Sequence, residues 1–319
     1  MNKKPISLIV VIIMLLGALG FILTTDLNSP GVVDENKEKE DNDPNPLGNI
    51  TSFDEAVNAF CFDFFKELSG DEDNSPNIFY SPYSVFTALA MTYEGARGNT
   101  VTEMQNVLHI EQGNDSFHEY MKSLYNYLNH NNKYNISTAN ALWPDVGFTL
   151  LDDYVNIIET YYGGKASEVE YDNPEEAARI INEWVENQTN NLIKDLVPAD
   201  AIDPTLTKLI LTNAIYFKGT WKIQFDEENT TERDFTLSSG EKIQAETMKL
   251  INKDDKFNYT HTDEFEILEI PYNGEDISMM IILPKEGYNL SDVTDSLNQE
   301  EYNSLIDEMY ETKADIYLP

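Results

Sequence analysis

Cysteine is almost absent from this sequence. Cys61 is the only one, so no disulfide can form within the chain. It falls on the apolar stripe Phe53, Val57, Phe60, Phe64 and Leu68, where a small buried side chain is a better reading than a nucleophile. Basic residues are also scarce: 21 Lys and Arg stand against 57 Asp and Glu, a formal charge of −36. A field of that sign repels polyanions, which disfavours nucleic acid and anionic surfaces as partners. It leaves a hydrated acidic surface, or else a specific cationic partner. The four histidines, His109, His118, His130 and His261, have neither the i,i+4 pairing nor the cysteine neighbours of a zinc site. No G-x-S-x-G elbow, HExxH helix or GxxxxGK[ST] loop occurs, and Asp71-Glu72-Asp73 lacks the alternation of an EF-hand loop. The sequence thus predicts no metal, no cofactor and no enzyme activity.

What is present suits a folded chain. It has 319 residues, 41% hydrophobic and 11% aromatic, enough for a real core. Lys3 and Lys4 precede an uncharged apolar run from Ile6 to Leu23, 18 residues long, about the minimum for a membrane-crossing helix. The cationic end should stay inside, which would place the rest on the extracellular side. The run reads as a retained anchor, with a cleaved secretory signal as the alternative. Asp26 to Asn49, rich in Asn, Asp, Glu, Pro and Gly, reads as a disordered tether. The expected organisation is therefore an anchor at 1–25, an acidic linker at 26–50 and one folded domain at 51–319. Asn-x-Ser/Thr sequons begin at Asn49, Asn114, Asn135, Asn187, Asn229, Asn258 and Asn289 and are compatible with export.

The folded part begins with helices. Ser52-Phe53-Asp54-Glu55 reads as a capping box. Asn77 to Tyr80 reads as a short strand. Ser81 then caps a helix with Pro82 in its first position, and that helix, reaching about Glu94, is apolar nearly all round. Thr100-Val101-Thr102-Glu103 repeats the capping pattern. Further helices are expected over Phe117–Leu128, over Leu150–Tyr161 and from Asn173-Pro174 onward. Strands are expected over Thr138–Trp143 and Leu209–Phe217, the second apolar on both faces and so covered on both sides. Then the chain turns mainly to strands: Phe235–Leu237, Ile243–Met248, Phe257–Thr260, Phe265–Tyr272 and Ile277–Leu283, the last two joined by the hairpin Asn273-Gly274. Helix is expected again over Leu290–Tyr310, and a final strand over Ala314–Leu318. Helices first and strands later make one α+β domain.

Several segments resemble one family. Asn77-Ile78-Phe79-Tyr80-Ser81-Pro82-Tyr83-Ser84-Val85 is similar to the serpin strand-to-helix-B signature. Thr212-Asn213-Ala214-Ile215-Tyr216-Phe217-Lys218-Gly219-Thr220-Trp221 resembles serpin strand 3A and its exit, with Phe225, Thr231 and Phe235 continuing the pattern. Ile193-Lys194-Asp195-Leu196-Val197 looks like the segment after helix F. The resemblance implies a serpin fold, N-terminal helices with sheets A, B and C. It also implies inhibition of serine, or cysteine, proteases. The protease cleaves an exposed loop and is held as an acyl-enzyme while the loop inserts into the large sheet. By the same resemblance Ser81, Ser84 and Asn213 fall in the shutter beneath the place where the sheet opens. Trp221 falls in the breach, where insertion starts. Asn213 interrupts an apolar strand and must find hydrogen bonds, because an unpaired buried amide costs about 1–3 kcal/mol. Relative to the family, Pro319 falls before strands 6A and 5A, the reactive loop and strands 1C, 4B and 5B. The expectation for this form is accordingly an incomplete serpin fold, without a scissile bond and non-inhibitory. A non-inhibitory extracellular binding protein of the same fold is the alternative. Asn77–Tyr80 is expected to lack a ladder and Leu209–Phe217 to be paired on one side only.

Overall fold

The computed structural model describes residues 51–69, 78–110, 115–130, 132–237, 240–251 and 254–319. The expected anchor, the tether, Asp71-Glu72-Asp73 and Asn77 lie outside them. Among the described residues no helix is long and apolar enough to cross a membrane. The longest, Thr51–Ser69, carries Asp54, Glu55, Asp63, Lys66 and Glu67. The expected placement of the chain on the extracellular face by a membrane anchor is therefore corrected: no described helix can serve as that anchor.

Contacts gather the chain into two units. Helix α1, Thr51–Ser69, contributes its first ten residues to one and its remainder to the other. The first unit continues over Ser81–Lys218 and holds five further helices: α2 (Pro82–Gly95), α3 (Asn99–Leu108), α4 (Asp115–Asn129), α5 (Asp152–Tyr161) and α6 (Pro174–Gln188). Its sheet has the order β2-β1-β3. Strand β1 (Asn135–Pro144) runs antiparallel to β3 (Leu209–Lys218) through ten paired positions, from Asn135↔Lys218 to Pro144↔Leu209. The short β2 (Lys165–Ala166) lies parallel to β1 on its other side. Among the described residues β3 is bonded along one edge only.

Side-chain alternation sorts the two faces of this sheet. Ala139, Ala141 and Trp143 of β1, with Ile210 and Ala214 of β3, pack against Ala177, Ala178, Ile181 and Val185 of α6. Helix α2 packs against β3 as well. It buries Tyr83, Phe86, Ala90 and Met91, and Glu94 is its single charged residue. Each large apolar side chain so buried contributes about 1.5–3 kcal/mol. With both faces covered, seven consecutive β1 residues, Thr138 to Pro144, are buried.

The second unit holds the rest of α1, Ile78–Tyr80 and Gly219–Pro319. One sheet has the order β10-β5-β4, with β4 (Thr231–Thr236), β5 (Lys242–Ile251) and β10 (Asp315–Leu318). The other has the order β8-β7-β6-β9, with β6 (Phe257–His261), β7 (Phe265–Pro271), β8 (Ser278–Pro284) and β9 (Tyr310–Thr312). Phe257, Ile270 and Ile281 of the second sheet pack on Leu250, Ile316 and Leu318 of the first. Its other face meets Phe62 of α1, Val293 of α7 (Leu290–Ser296) and Tyr302, Leu305 and Ile306 of α8 (Gln299–Asp307).

Four local expectations change. Helix α1 starts at Thr51, so Ser52 is inside it rather than its cap. Helix α3 starts at Asn99 behind Gly98, whose φ of 64° breaks the preceding chain; Thr100 is an interior residue and no side chain caps the helix. Ile78–Tyr80 forms no strand. The helix expected over Leu290–Tyr310 is two, because Asn298 accepts a bond from the Glu301 amide and starts α8 anew, while Tyr310–Thr312 pairs with β6 as a strand.

Candidate functional site

The residues singled out by sequence divide between the two units. In the first, Ser81 is the N-cap of α2. Its backbone is extended, with φ −110° and ψ 107°, and its hydroxyl accepts from the Ser84 amide at 3.2 Å. Pro82 in the first helical position has no amide N–H to satisfy. Capping turns the Ser84 hydroxyl toward β3, where it donates to Oδ1 of Asn213. Asn213 in turn donates from Nδ2 to Oδ1 of Asn140, at 2.5 Å. Asn140 stands directly opposite Asn213 in the β1–β3 register. It donates from its own Nδ2 to the backbone carbonyl of Tyr162 at 2.8 Å, just beyond α5. Helix start, two strands and the end of another helix are thereby joined by one row of hydrogen bonds.

Asn140 is 1% exposed, so its amide depends wholly on these partners. It escaped the sequence reading. The available signal was the same as for Asn213: an amide interrupting an apolar strand, here Ala139-Asn140-Ala141-Leu142. Ser81, by contrast, reaches the seam only through the cap; its recorded bond is to the Ser84 amide. On the opposite face of the same strands, Trp143 donates from Nε1 to the Thr212 hydroxyl at 2.9 Å, and the Tyr171 hydroxyl donates to the Trp143 carbonyl. Burial holds the Tyr171 phenol up at about 12, so it remains a donor at neutral pH.

Trp221 belongs to the second unit. Its ring stacks on Tyr272 with centroids 4.3 Å apart and planes 12° from parallel, and Phe225 meets it edge-on at 6.3 Å. Trp221 and Tyr272 also form an isolated antiparallel bridge, flanked by Lys222 N–H to the Pro271 carbonyl at 3.0 Å. The ring packs on the cluster of Leu250, Ile270 and Ile316. The row of amides and hydroxyls in the first unit contains no nucleophile paired with a base. It can hold a helix start against two strands.

Helices packed on three sheets among the described residues, with this row joining the longest strand pair of one of them, define an α+β fold. The sequence profile of the family described as Serpin (serine protease inhibitor) matches residues 55–319, and the chain belongs to the serpin family. It is 40% identical over 269 residues to an uncharacterized serpin-like protein of Thermococcus kodakarensis, covering 83% of this chain and 60% of that protein. It is 33% identical over 292 residues to human Serpin B3, covering 85% of this chain and 73% of that protein. Among solved structures, emu ovalbumin superposes with a TM-score of 0.78 at 31% identity, covering 84% of this chain and 73% of that one. The chain thus spans about three fifths of the length of the archaeal relative it matches.

Proposed function

We propose that this chain belongs to a serpin-type inhibitor of serine proteases, or of cysteine proteases, that acts by loop insertion. The observation that carries the proposal is the Asn213–Asn140 pair, tied to Ser84 across two adjacent strands. In this reading the row is the shutter. It holds β1 and β3 together against α2 while an incoming strand adds along the other edge of β3, which carries no ladder among the described residues. The free energy comes from completing that sheet with a further strand. Trp221, stacked on Tyr272, is proposed as the breach residue at which insertion begins, and Ser81 as the cap that aims Ser84. No residue among 1–319 is proposed as the scissile one.

The test is incubation of the protein, at its full natural length, with a panel of serine and cysteine proteases, followed by denaturing electrophoresis. A detergent-resistant adduct containing both partners is expected. Cleavage of the protein with every protease left active would overturn the inhibitory reading in favour of a binding protein of the same fold.

A further inference from the structure

The outer face of the sheet β10-β5-β4 gathers charge of the scarce sign. Met248, Leu250, Ile316 and Leu318 turn to the core of the second unit. Their alternates, Ala245, Thr247, Lys249 and Ile251 of β5 and Tyr317 of β10, therefore share the other face. Arg233 of β4, opposite Ala245, belongs to that face too. Its guanidinium carbon stands 4.0 Å from the centre of the Tyr317 ring, so the Arg233 side chain crosses β5 to reach it. Nζ of Lys249, directly opposite Tyr317, stands 6.0 Å from the same centre. Thr247, between Ala245 and Lys249 on this face, is buried.

The guanidinium keeps its donors unused. Arg97 is bonded to the backbone carbonyls of Glu94 and Ala96, and Arg179 is held between Glu176 and Glu183. Arg233 has neither an acceptor nor an ion pair among the described residues, in a chain with 57 Asp and Glu. Lys249 likewise meets only the ring. Glu232 and Asp234 alternate to the opposite face, where Asp234 accepts from Lys242 and Gln244. Asp315 stands on the outer face opposite Ile251, one pair beyond Lys249, and is paired with neither cation among the described residues. A guanidinium lying on a ring holds its N–H edge in one plane, and that fork matches a carboxylate. Ile243 and Ile251, both exposed, stand toward the two ends of the same face of β5, eight positions or about 27 Å apart.

We propose that this face is a docking site for an extended acidic segment of a partner protein. Carboxylates of the segment meet Arg233 and Lys249, and its apolar residues meet the exposed isoleucines. Charge selects the occupant. A cationic segment is repelled here and drawn to the acidic remainder of the surface. A second copy of this chain, at a formal charge of −36, is repelled as a whole. At about 0.15 M salt the screening length is about 8 Å, so a short acidic segment feels the two cations and little of the carboxylates beyond them. A long polyanion, charged at every unit, runs past the site into the acidic surface. The site stands apart from protease inhibition and uses none of the residues assigned to shutter or breach.

Fluorescence anisotropy on the full-length protein tests the site at that salt concentration. The probe is a labelled peptide of consecutive glutamates flanked by leucines. Saturable binding is expected. Arg233→Gln and Lys249→Gln should each weaken it about fivefold, the upper range for one exposed ion pair. Lys242→Gln removes a cation already paired with Asp234 on the other face and should change nothing. Tyr317→Leu keeps both charges and should still weaken binding, because the guanidinium loses the ring that holds its plane. Should Tyr317→Leu fail to fold, Arg233→Lys makes the same point by keeping the charge and losing the fork. No saturable binding, an equal loss on Lys242→Gln, or unchanged binding by the Arg233→Gln/Lys249→Gln double variant would overturn the site. Tighter binding of DNA or a sulfated polysaccharide than of the peptide, lost on the same changes, would assign the face to a polyanion and overturn docking of an acidic segment.

Discussion

Asn213→Ala removes two hydrogen bonds of unequal consequence. The Ser84 hydroxyl is half-buried on the first turn of α2 and can turn to other acceptors, so losing that bond costs about 0.5–1.5 kcal/mol. The Asn140 Oδ1 has no such freedom. It is 1% exposed, and its other amide atom is held by the Tyr162 carbonyl, so it is left an orphan at a cost of about 1–3 kcal/mol. The sum, about 1.5–4.5 kcal/mol, is a large fraction of a net stability of about 5–15 kcal/mol. Asn213→Asp should be no better. It keeps an oxygen for Ser84 but sets a second oxygen against Asn140 Oδ1, and turning the Asn140 amide over would abandon the Tyr162 carbonyl. Denaturant titration of the full-length variants gives the midpoint shift, with an unchanged slope showing that the denatured state is the same. Adding Asn140→Ala to Asn213→Ala should cost less than the two single changes together, by about 0.5–3 kcal/mol, because each single change orphans its partner's amide and the double change leaves neither amide behind. A single-variant shift under about 0.5 kcal/mol, or strict additivity of the pair, would refute the seam as a connected unit.

Three further outcomes are expected. Cys61 is 1% exposed and burial pushes its thiol up to about 12, so alkylating reagents should leave it unmodified in the folded protein and label it after denaturation; labelling at native rates would contradict its burial. Burial raises the Asp54 carboxyl above its ordinary value, against the opposing hydrogen bond from Tyr120 at 2.8 Å. The stability that this shift contributes is therefore present at low pH and lost as pH rises through the folded-state value, so Asp54→Asn should gain on wild type between about pH 3 and pH 7, and parallel stability curves would refute it. Gly163→Ala adds a strained left-handed residue, about 1–2 kcal/mol, to an overlap with the Tyr125 ring costing about 1–3 kcal/mol, which should lower the melting temperature by several degrees; an unchanged melting temperature would show that α4 yields freely there.

Much of the fold was legible because its signals are local. Ser81-Pro82 and Asn173-Pro174 start α2 and α6 as their residue types dictate, each with its side chain accepting from the amide three residues on. The double-faced apolar pattern of Leu209–Phe217 corresponds to a strand with a helix packed on either side. Where local signals competed, the reading failed. Thr100–Glu103 carries a capping pattern, yet Gly98 can turn the chain two residues sooner and does so. The stretch from Leu290 to Tyr310 has helical residues throughout, but Asn298 offers a second cap, and Tyr310–Thr312 is recruited by β6, a partner about fifty residues earlier in the chain whose influence no local window contains.

The candidate site shows the same limit in sharper form. Asn213 could be recognised as a buried amide in need of partners, but not who the partners were: Ser84 lies 129 residues away in sequence and Asn140 lies 73. Two amides on facing strands satisfy each other only in one register, since a slip of one position would turn both side chains to opposite faces. Apolar residues of similar size would pack the same layer without requiring any register, and replacing both partners of a buried polar pair is often nearly neutral for stability. The seam is therefore poorly explained as a source of stability alone. It is better explained as a device that makes one arrangement of β1, β3 and α2 distinct from its neighbours, so that any shift of register carries a discrete cost. On the function proposed above, a sheet that takes in a further strand needs that property more than it needs a stronger core.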